Sequence, residues 1–120
     1  MKSFMEQLNR IEIRGTVGNV KLQTFTENEV AWFSVATNYA YKDKGGNAVI
    51  DTSWHNVVAR EGRNVKELRR LEKGAKVYVQ GRLRYQKYTT QDGTDRWSSE
   101  IVASRLVFID SEEPMQYEML

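Results

Sequence analysis

Two stretches of this sequence place aromatic rings and cationic side chains on one side of an extended chain. Residues 77–88 alternate apolar and polar positions, and the polar set carries rings and charges: Tyr78, Gln80, Arg82, Arg84, Gln86 and Tyr88. A second stretch places four residues on one face in the same way: Trp54, Asn56, Val58 and Arg60. Aromatic faces stack on bases and cations follow phosphates, so this combination is typical of proteins that bind single-stranded nucleic acid without reading its sequence.

Residue types suited to catalysis or to metal binding are scarce. The sequence has no cysteine and one histidine, which excludes cysteine-based zinc or redox sites and multi-histidine metal centres. Neither Gly15 nor Gly18 is followed by the Gly-Lys-Ser/Thr ending of a phosphate-binding loop. A lone histidine in a strand is more often packed or hydrogen-bonded than reactive. We therefore expect a structural His55, no enzymatic activity, and no metal or other cofactor.

Charge is unevenly distributed along the chain. The 120 residues carry a net charge of +2, but residues 110–120 hold four acidic residues and no basic one. Residues 1–109 therefore carry 18 basic and 12 acidic residues, a surplus that favours an anionic partner. We expect one domain over residues 1–109 and a short, flexible acidic tail over residues 110–120.

Signals for secretion or membrane insertion are weak. The first ten residues, MKSFMEQLNR, lack the apolar core of a signal peptide. The longest uncharged stretch covers residues 30–41 and contains Ser, Thr and Asn, so it is too short and too polar to span a bilayer. We expect a cytoplasmic protein.

Five strands are predicted from the period-two alternation of apolar and polar residues. They cover about residues 11–20, 30–41, 52–60, 77–91 and 97–109. Turn signals separate them at residues 42–47 and at Asp92-Gly93. Gly15 and Gly18 inside the first strand indicate a sharp coil or a bulge.

One short helix is predicted between the third and fourth strands. Asn64 and Glu67 have the spacing of a capping box, and Gly74 fits a C-terminal cap. The apolar stripe between them consists of Val65, Leu68 and Leu71. Three strands, a helix and two further strands follow one another in the order of the OB-fold, an all-β barrel of five strands.

The chain resembles bacterial single-stranded-DNA-binding proteins over about residues 9–109. The stretches that carry the resemblance are NRIEIRGTVGNV, FSVAT followed by YKDK, TSWHNVV, LEKGAKVYVQGRLR and YTTQDGTDRW. The resemblance implies an OB-fold assembled as a homotetramer, around which single-stranded DNA wraps during replication, recombination and repair. It also implies a bacterial, nucleoid-associated protein.

The resemblance further implies which side chains meet the DNA. The family's base-stacking aromatic positions correspond to Tyr41, Trp54 and Tyr88. A fourth stacking position, normally aromatic, corresponds to Arg60, whose guanidinium plane can stack and add charge. The basic positions near the DNA path correspond to Lys73, Arg84 and Lys87. The alternation of the fourth strand adds Arg82 to these cations.

Three further residues are expected to contact another subunit or to add a stacking surface. The resemblance places His55 and Tyr78 near subunit contacts. Trp32 has no aromatic counterpart in the family, so we expect it to be an added stacking platform or an interface residue.

The end of the chain departs from the family pattern. Typical members carry a long Gly- and Pro-rich linker and an acidic Asp-Ile-Pro-Phe-like tip that docks replication and repair proteins, whereas this sequence ends EEPMQYEML. We therefore do not expect recruitment of such partners through a tip of that kind. A shortened chain, a paralogue and a mobile-element or phage copy all fit this ending.

Three alternative functions fit parts of the same sequence. A primosomal accessory protein of the same fold would bind single-stranded DNA as a dimer, whereas the first interpretation predicts a tetramer. An RNA-binding OB domain of the cold-shock type would be smaller and would lack the predicted helix. A nuclease on this barrel would degrade labelled single-stranded DNA in the presence of magnesium or calcium.

Overall fold

Long strands account for most of the protein. The computed structural model describes Ser3 and residues 5–119, the side chain of Met119 excepted. The strands are β1 (Ile11–Thr24), β2 (Glu29–Lys42), β3 (Ala48–Arg60), β4 (Lys76–Thr89), β5 (Asp95–Phe108) and β6 (Glu118–Met119). A single 3₁₀ turn, Leu68–Arg70, lies between β3 and β4. No helix in the described part of the chain is long and apolar enough to cross a membrane.

The first five strands close into a barrel because β1 has two partners. The strand order is β1-β4-β5-β3-β2, and β1 pairs again with β2 at the far end. Residues 11–16 of β1 pair with β4, and residues 16–24 pair with β2. The register shifts between Val17 and Val20, as expected where a strand must bend to change partners. This closure, with β3 and β5 parallel, confirms the predicted five-stranded OB-fold.

Inward-facing side chains fill the barrel. The buried set is aliphatic apart from Phe33 and includes Val17, Val35, Val57, Val77, Val79 and Ile101. Two glycines stand where neighbouring strands approach too closely for a side chain. A Cβ at Gly15 would collide with the carbonyl oxygen of Ala36, and one at Gly81 with that of Val102. Backbone cannot move aside as a side-chain tip can, so these positions require glycine.

The helix predicted between β3 and β4 is wrong beyond one turn. Glu67 has φ 60°, a left-handed conformation, and no side-chain cap precedes the 3₁₀ turn. The backbone of this segment makes its hydrogen bonds elsewhere: Leu106 N–H donates to the carbonyl of Asn64, and Gly62 bridges Val65. The apolar stripe marks burial correctly, because Val65, Leu68 and Leu71 are all in the core.

Two pairs of strands continue past the barrel as arms. Beyond Leu83 and Ile101, β4 and β5 pair only with each other, down to Thr89 and Asp95. We call residues 84–100 the β4–β5 arm. The ends of β2 and β3, residues 38–52, form the β2–β3 arm around the turn at residues 43–47.

The acidic segment after β5 runs back along the barrel. Lys76 Nζ donates to the carbonyls of Ser111 (3.2 Å) and Glu113 (2.7 Å). Further on, β6 pairs in parallel with β2, with Glu118 opposite Tyr39. Together with β1 and β4 the segment encloses an open groove that contains His55 and Tyr78. The flexibility expected for this tail stays a prediction.

Candidate nucleic-acid interface

One outward surface of the barrel collects most of the residues singled out from the sequence. Val57 and Ile101 are buried partners on β3 and β5, so their neighbours Val58 and Val102 point outward. The register continues this row to either side, and its four members are Trp32, Val58, Val102 and Arg82. We call the outward side of β2, β3, β5 and β4, including their arms, the outer face.

The outer face brings together six of the predicted binding residues. They are Trp32, Trp54, Arg60, Arg82, Arg84 and Tyr88. The three aromatic residues of this set are open to solvent: the exposed fraction is 60% for Trp54, 51% for Tyr88 and 36% for Trp32. Large apolar rings left exposed on a sheet favour a flat partner that covers them.

Three predicted residues lie elsewhere. The pairing of β2 with β3 is unbroken, and Ala36 on β2 is the partner of Trp54 on β3, so their side chains share a face. Tyr41 is five positions along β2 from Ala36, an odd number. Tyr41 therefore points to the reverse side of the β2–β3 arm. Lys87 points to the reverse side of the β4–β5 arm, away from Tyr88, by the same reasoning. Lys73 is exposed in the loop before β4.

The cations of the interface fall into two groups. Arg84 is hydrogen-bonded to Glu100 through Nε (3.1 Å) and also forms an ion pair with it through the guanidinium. Lys87 Nζ lies 3.2 Å from Asp95 Oδ2. Arg60, Lys73 and Arg82 form no ion pair with any carboxylate of the described residues. These three are free to meet a phosphate, whereas Arg84 and Lys87 would have to exchange a carboxylate for one.

Sequence reasoning missed several exposed aromatic and basic residues. Alternation along β4 places Tyr85 on the same face as the buried Val77 and Val79, but that face opens to solvent where β4 leaves the barrel, and Tyr85 is 67% exposed. Trp97 is 68% exposed and lies under Lys87, whose Nζ is 6.0 Å from the ring centroid. Lys21 Nζ lies 5.9 Å from the Trp32 ring. Each of these two Lys–Trp contacts joins different strands, so only the cross-strand register reveals it.

His55 and Tyr78 lie away from the outer face, in the groove beside the acidic tail. His55 Nε2 is 2.8 Å from the hydroxyl of Thr37, and burial lowers the pKa of the imidazole. Tyr78 donates its hydroxyl to Glu12 (2.7 Å). This hydrogen bond raises the pKa of Tyr78 and lowers that of Glu12. Within the described residues no three acidic or histidine side chains form a metal-binding cluster.

Comparison with known proteins places this barrel in a family. The family description "Single-strand binding protein family" matches residues 8–109. The chain belongs to this family. The match covers the whole barrel from the residues before β1 to the end of β5, which includes the outer face and both arms.

Individual relatives and a solved structure agree with the family match. A "Single-stranded DNA-binding protein" of Xanthomonas axonopodis pv. citri is 39% identical over 103 residues, covering 82% of this chain. The chain spans only 56% of the length of that relative. A mitochondrial single-stranded DNA-binding protein of Drosophila melanogaster is 36% identical and is covered to 70%. The structure "Plasmodium falciparum SSB complex with ssDNA" matches with a TM-score of 0.75 at 31% identity, covering 90% of this chain and 100% of that one.

Proposed function

We propose that this protein binds single-stranded DNA without sequence preference and protects it during replication, recombination and repair. The observation that carries the proposal is the outer face, where Trp54 and Arg60 on β3 share one surface with Arg82 and Tyr88 on β4, the strand on the other side of β5. Stacking rings beside free cations match the two chemical parts of a nucleic-acid strand. Membership of the single-strand binding protein family and the names of the relatives support the same function.

The roles of the residues follow from their chemistry. Bases would stack on Trp54, Tyr88 and Tyr41, with Trp32 as an additional platform. Phosphates would be met by five cations: Arg60, Lys73, Arg82, Arg84 and Lys87. Tyr41 and Lys87 point to the reverse sides of their arms. A single strand that uses every one of these residues must therefore pass around the arms rather than lie across one surface.

Titration with dT oligomers of increasing length tests the proposal. We expect tryptophan fluorescence to be quenched as bases cover exposed indole rings, with comparable affinity for other unstructured sequences. Absence of binding to every single strand would contradict the proposal. Tight binding to one defined duplex would contradict it as well.

The charge partner of Arg84 provides a first prediction. Glu100→Gln is expected to tighten binding to oligo(dT), because an amide neither holds the guanidinium of Arg84 as strongly nor repels a phosphate. Freeing one more cation should make the slope of log affinity against log salt steeper by about 0.7. Fluorescence titrations at several salt concentrations measure both quantities.

The matched control removes the same charge far from the outer face. Glu112→Gln in the acidic tail changes the net charge of the chain equally and should leave the slope unaltered. Equal gains in affinity from the two variants would show that overall charge is responsible and not the pairing with Arg84.

The assembly is a further part of the proposal. We propose a homotetramer built as a pair of dimers, with His55 and Tyr78 near the contacts between subunits. Closed symmetric assembly is the usual way for a small domain to cover such surface. Tyr78 is half-buried and faces Arg14 across the β1–β4 pair.

Tyr78→Arg is expected to lower the mass of the assembly. The new guanidinium would lie beside Arg14 of the same protomer. In a symmetric contact between subunits the partner would bring the same positive charges close by, and the like charges would repel. Sedimentation velocity at micromolar concentration measures the mass. Relative to wild type, the affinity should fall more for long DNA strands than for short ones. Tyr78→Phe is the control, since it keeps the ring and loses only the hydroxyl bonded to Glu12.

The wild-type mass decides between the assemblies. A monomer would contradict any subunit contact through Tyr78. A stable dimer would favour the primosomal accessory alternative over the tetrameric one.

A further inference from the structure

The indole ring of Trp54 reaches across two strands. Trp54 lies on β3 and is paired with Ala36 on β2, which in turn is paired with Thr16 on β1. Yet the far edge of its ring approaches Gly18 of β1: a Cβ built on Gly18 would lie 2.6 Å from Cζ3 and 3.2 Å from Cη2. Two strand spacings amount to about 10 Å, so the ring has to lie along the sheet and over β2. One ring face is then turned to the sheet and the other to solvent.

The place where the ring lies is lined by small residues. Ser34 Oγ and the edge of the ring both lie against the Cβ position of Gly18, and Ala36 on β2 is the cross-strand partner of Trp54. Ser34 is itself fixed, because its hydroxyl accepts a hydrogen bond of 2.9 Å from the backbone N–H of Asn19. A Cβ at Gly18 would also lie 2.7 Å from this hydroxyl oxygen. We call Gly18, Ser34 and Ala36 the indole seat.

Backbone conformation does not account for the glycine at position 18. The described glycines with positive φ are Gly46, Gly74 and Gly93, and Gly18 is not among them. Gly15 and Gly81 are required because backbone atoms of a neighbouring strand stand in the way. At Gly18 the obstructing atoms belong to side chains, and the nearest is the outer end of a largely exposed ring. A residue larger than glycine would therefore displace the ring and press on the Ser34 hydroxyl, but it would meet no backbone of a neighbouring strand.

We propose that Gly18 is a positioning residue for single-stranded DNA binding: the indole seat holds the ring of Trp54 along the sheet, with its free face presented to a base. The proposal rests on the DNA-binding function proposed above and goes beyond it, because Gly18 has no side chain of its own to contact the DNA. A methyl group at position 18 lifts or turns the ring, and the stacking surface is lost although Trp54 is still present.

Tryptophan fluorescence without DNA tests the seat directly. In a Trp32→Phe/Trp97→Phe background, Trp54 is the single tryptophan of the chain. Gly18→Ala in this background is expected to shift the emission maximum and to change quenching by acrylamide, in a protein that still unfolds in one cooperative urea transition. Gly62→Ala is the matched control, because the nearest atom to its added methyl is the Arg60 carbonyl oxygen at 3.8 Å. Identical emission and quenching in Gly18→Ala and the parent would overturn the proposal.

Binding measurements then separate positioning from a general effect on the protein. Gly18→Ala is expected to weaken oligo(dT) binding about tenfold, a part of the loss expected when the whole ring is removed. Combined with Trp54→Ala, it is expected to cause no further loss, since the residue it positions is absent. An equal loss with and without Trp54 would overturn the proposal. Failure of the parent protein to bind oligo(dT) would refute the proposed function instead, and the fluorescence comparison would still test the seat.

Discussion

Replacing Trp54 by alanine is expected to weaken binding to oligo(dT) by about 1–3 kcal/mol, or roughly 5- to 150-fold. The ring lies on the outer face and is 60% exposed, so its removal takes away a stacking surface without emptying the core. The variant should therefore unfold in urea close to the wild-type midpoint. Fluorescence anisotropy of labelled dT oligomers measures the affinity without relying on tryptophan emission.

Tyr117→Ala is the control for this experiment. Tyr117 is another exposed ring, 49% accessible, but it lies in the tail beside the groove of His55 and Tyr78. Its removal should leave the affinity for short oligomers unchanged. If Trp54→Ala folds and binds as tightly as wild type, the stacking role of Trp54 is wrong. A similar loss in both variants would indicate that exposed rings contribute without regard to position.

Affinity for single-stranded DNA is expected to fall steeply with salt. Each phosphate neutralised on a single strand contributes about −0.7 to the slope of log affinity against log salt, so the three free cations Arg60, Lys73 and Arg82 give about −2 and all five give about −3.5. Between 50 and 200 mM salt this range corresponds to a loss of roughly 20- to 130-fold for each protomer engaged. The slope is measured from titrations across that range.

Single charge removals locate the source of the slope. Arg82→Gln should make it shallower by about 0.7, because Arg82 stands on the outer face without a carboxylate partner among the described residues. Lys66→Gln removes an equal charge from the loop between β3 and the 3₁₀ turn and should leave the slope as it is. Affinity that does not respond to salt would contradict phosphate contacts on this surface.

Local patterns predicted the strands and much of the interface. Side chains of a strand alternate whatever the strand later pairs with, so Trp54 and Arg60 could be assigned to one face and Arg82 and Tyr88 to another before any pairing was known. The barrel followed from the order of the elements. The helix prediction failed at Asn64 and Glu67, because tertiary hydrogen bonds from Leu106 and the bridge at Gly62 replaced the helical ones.

The sequence by itself thus determined which residues share a strand face and that aromatic and cationic faces exist. The tertiary structure alone decided which faces meet. It joined the faces of β3 and β4 through β5, turned Tyr41 to the side opposite Trp54, and paired Arg84 with Glu100. It also laid the ring of Trp54 against Gly18. These relations depend on cross-strand register and on the bulge by which β1 changes partners, and both are set by closure of the whole barrel between residues far apart in the chain.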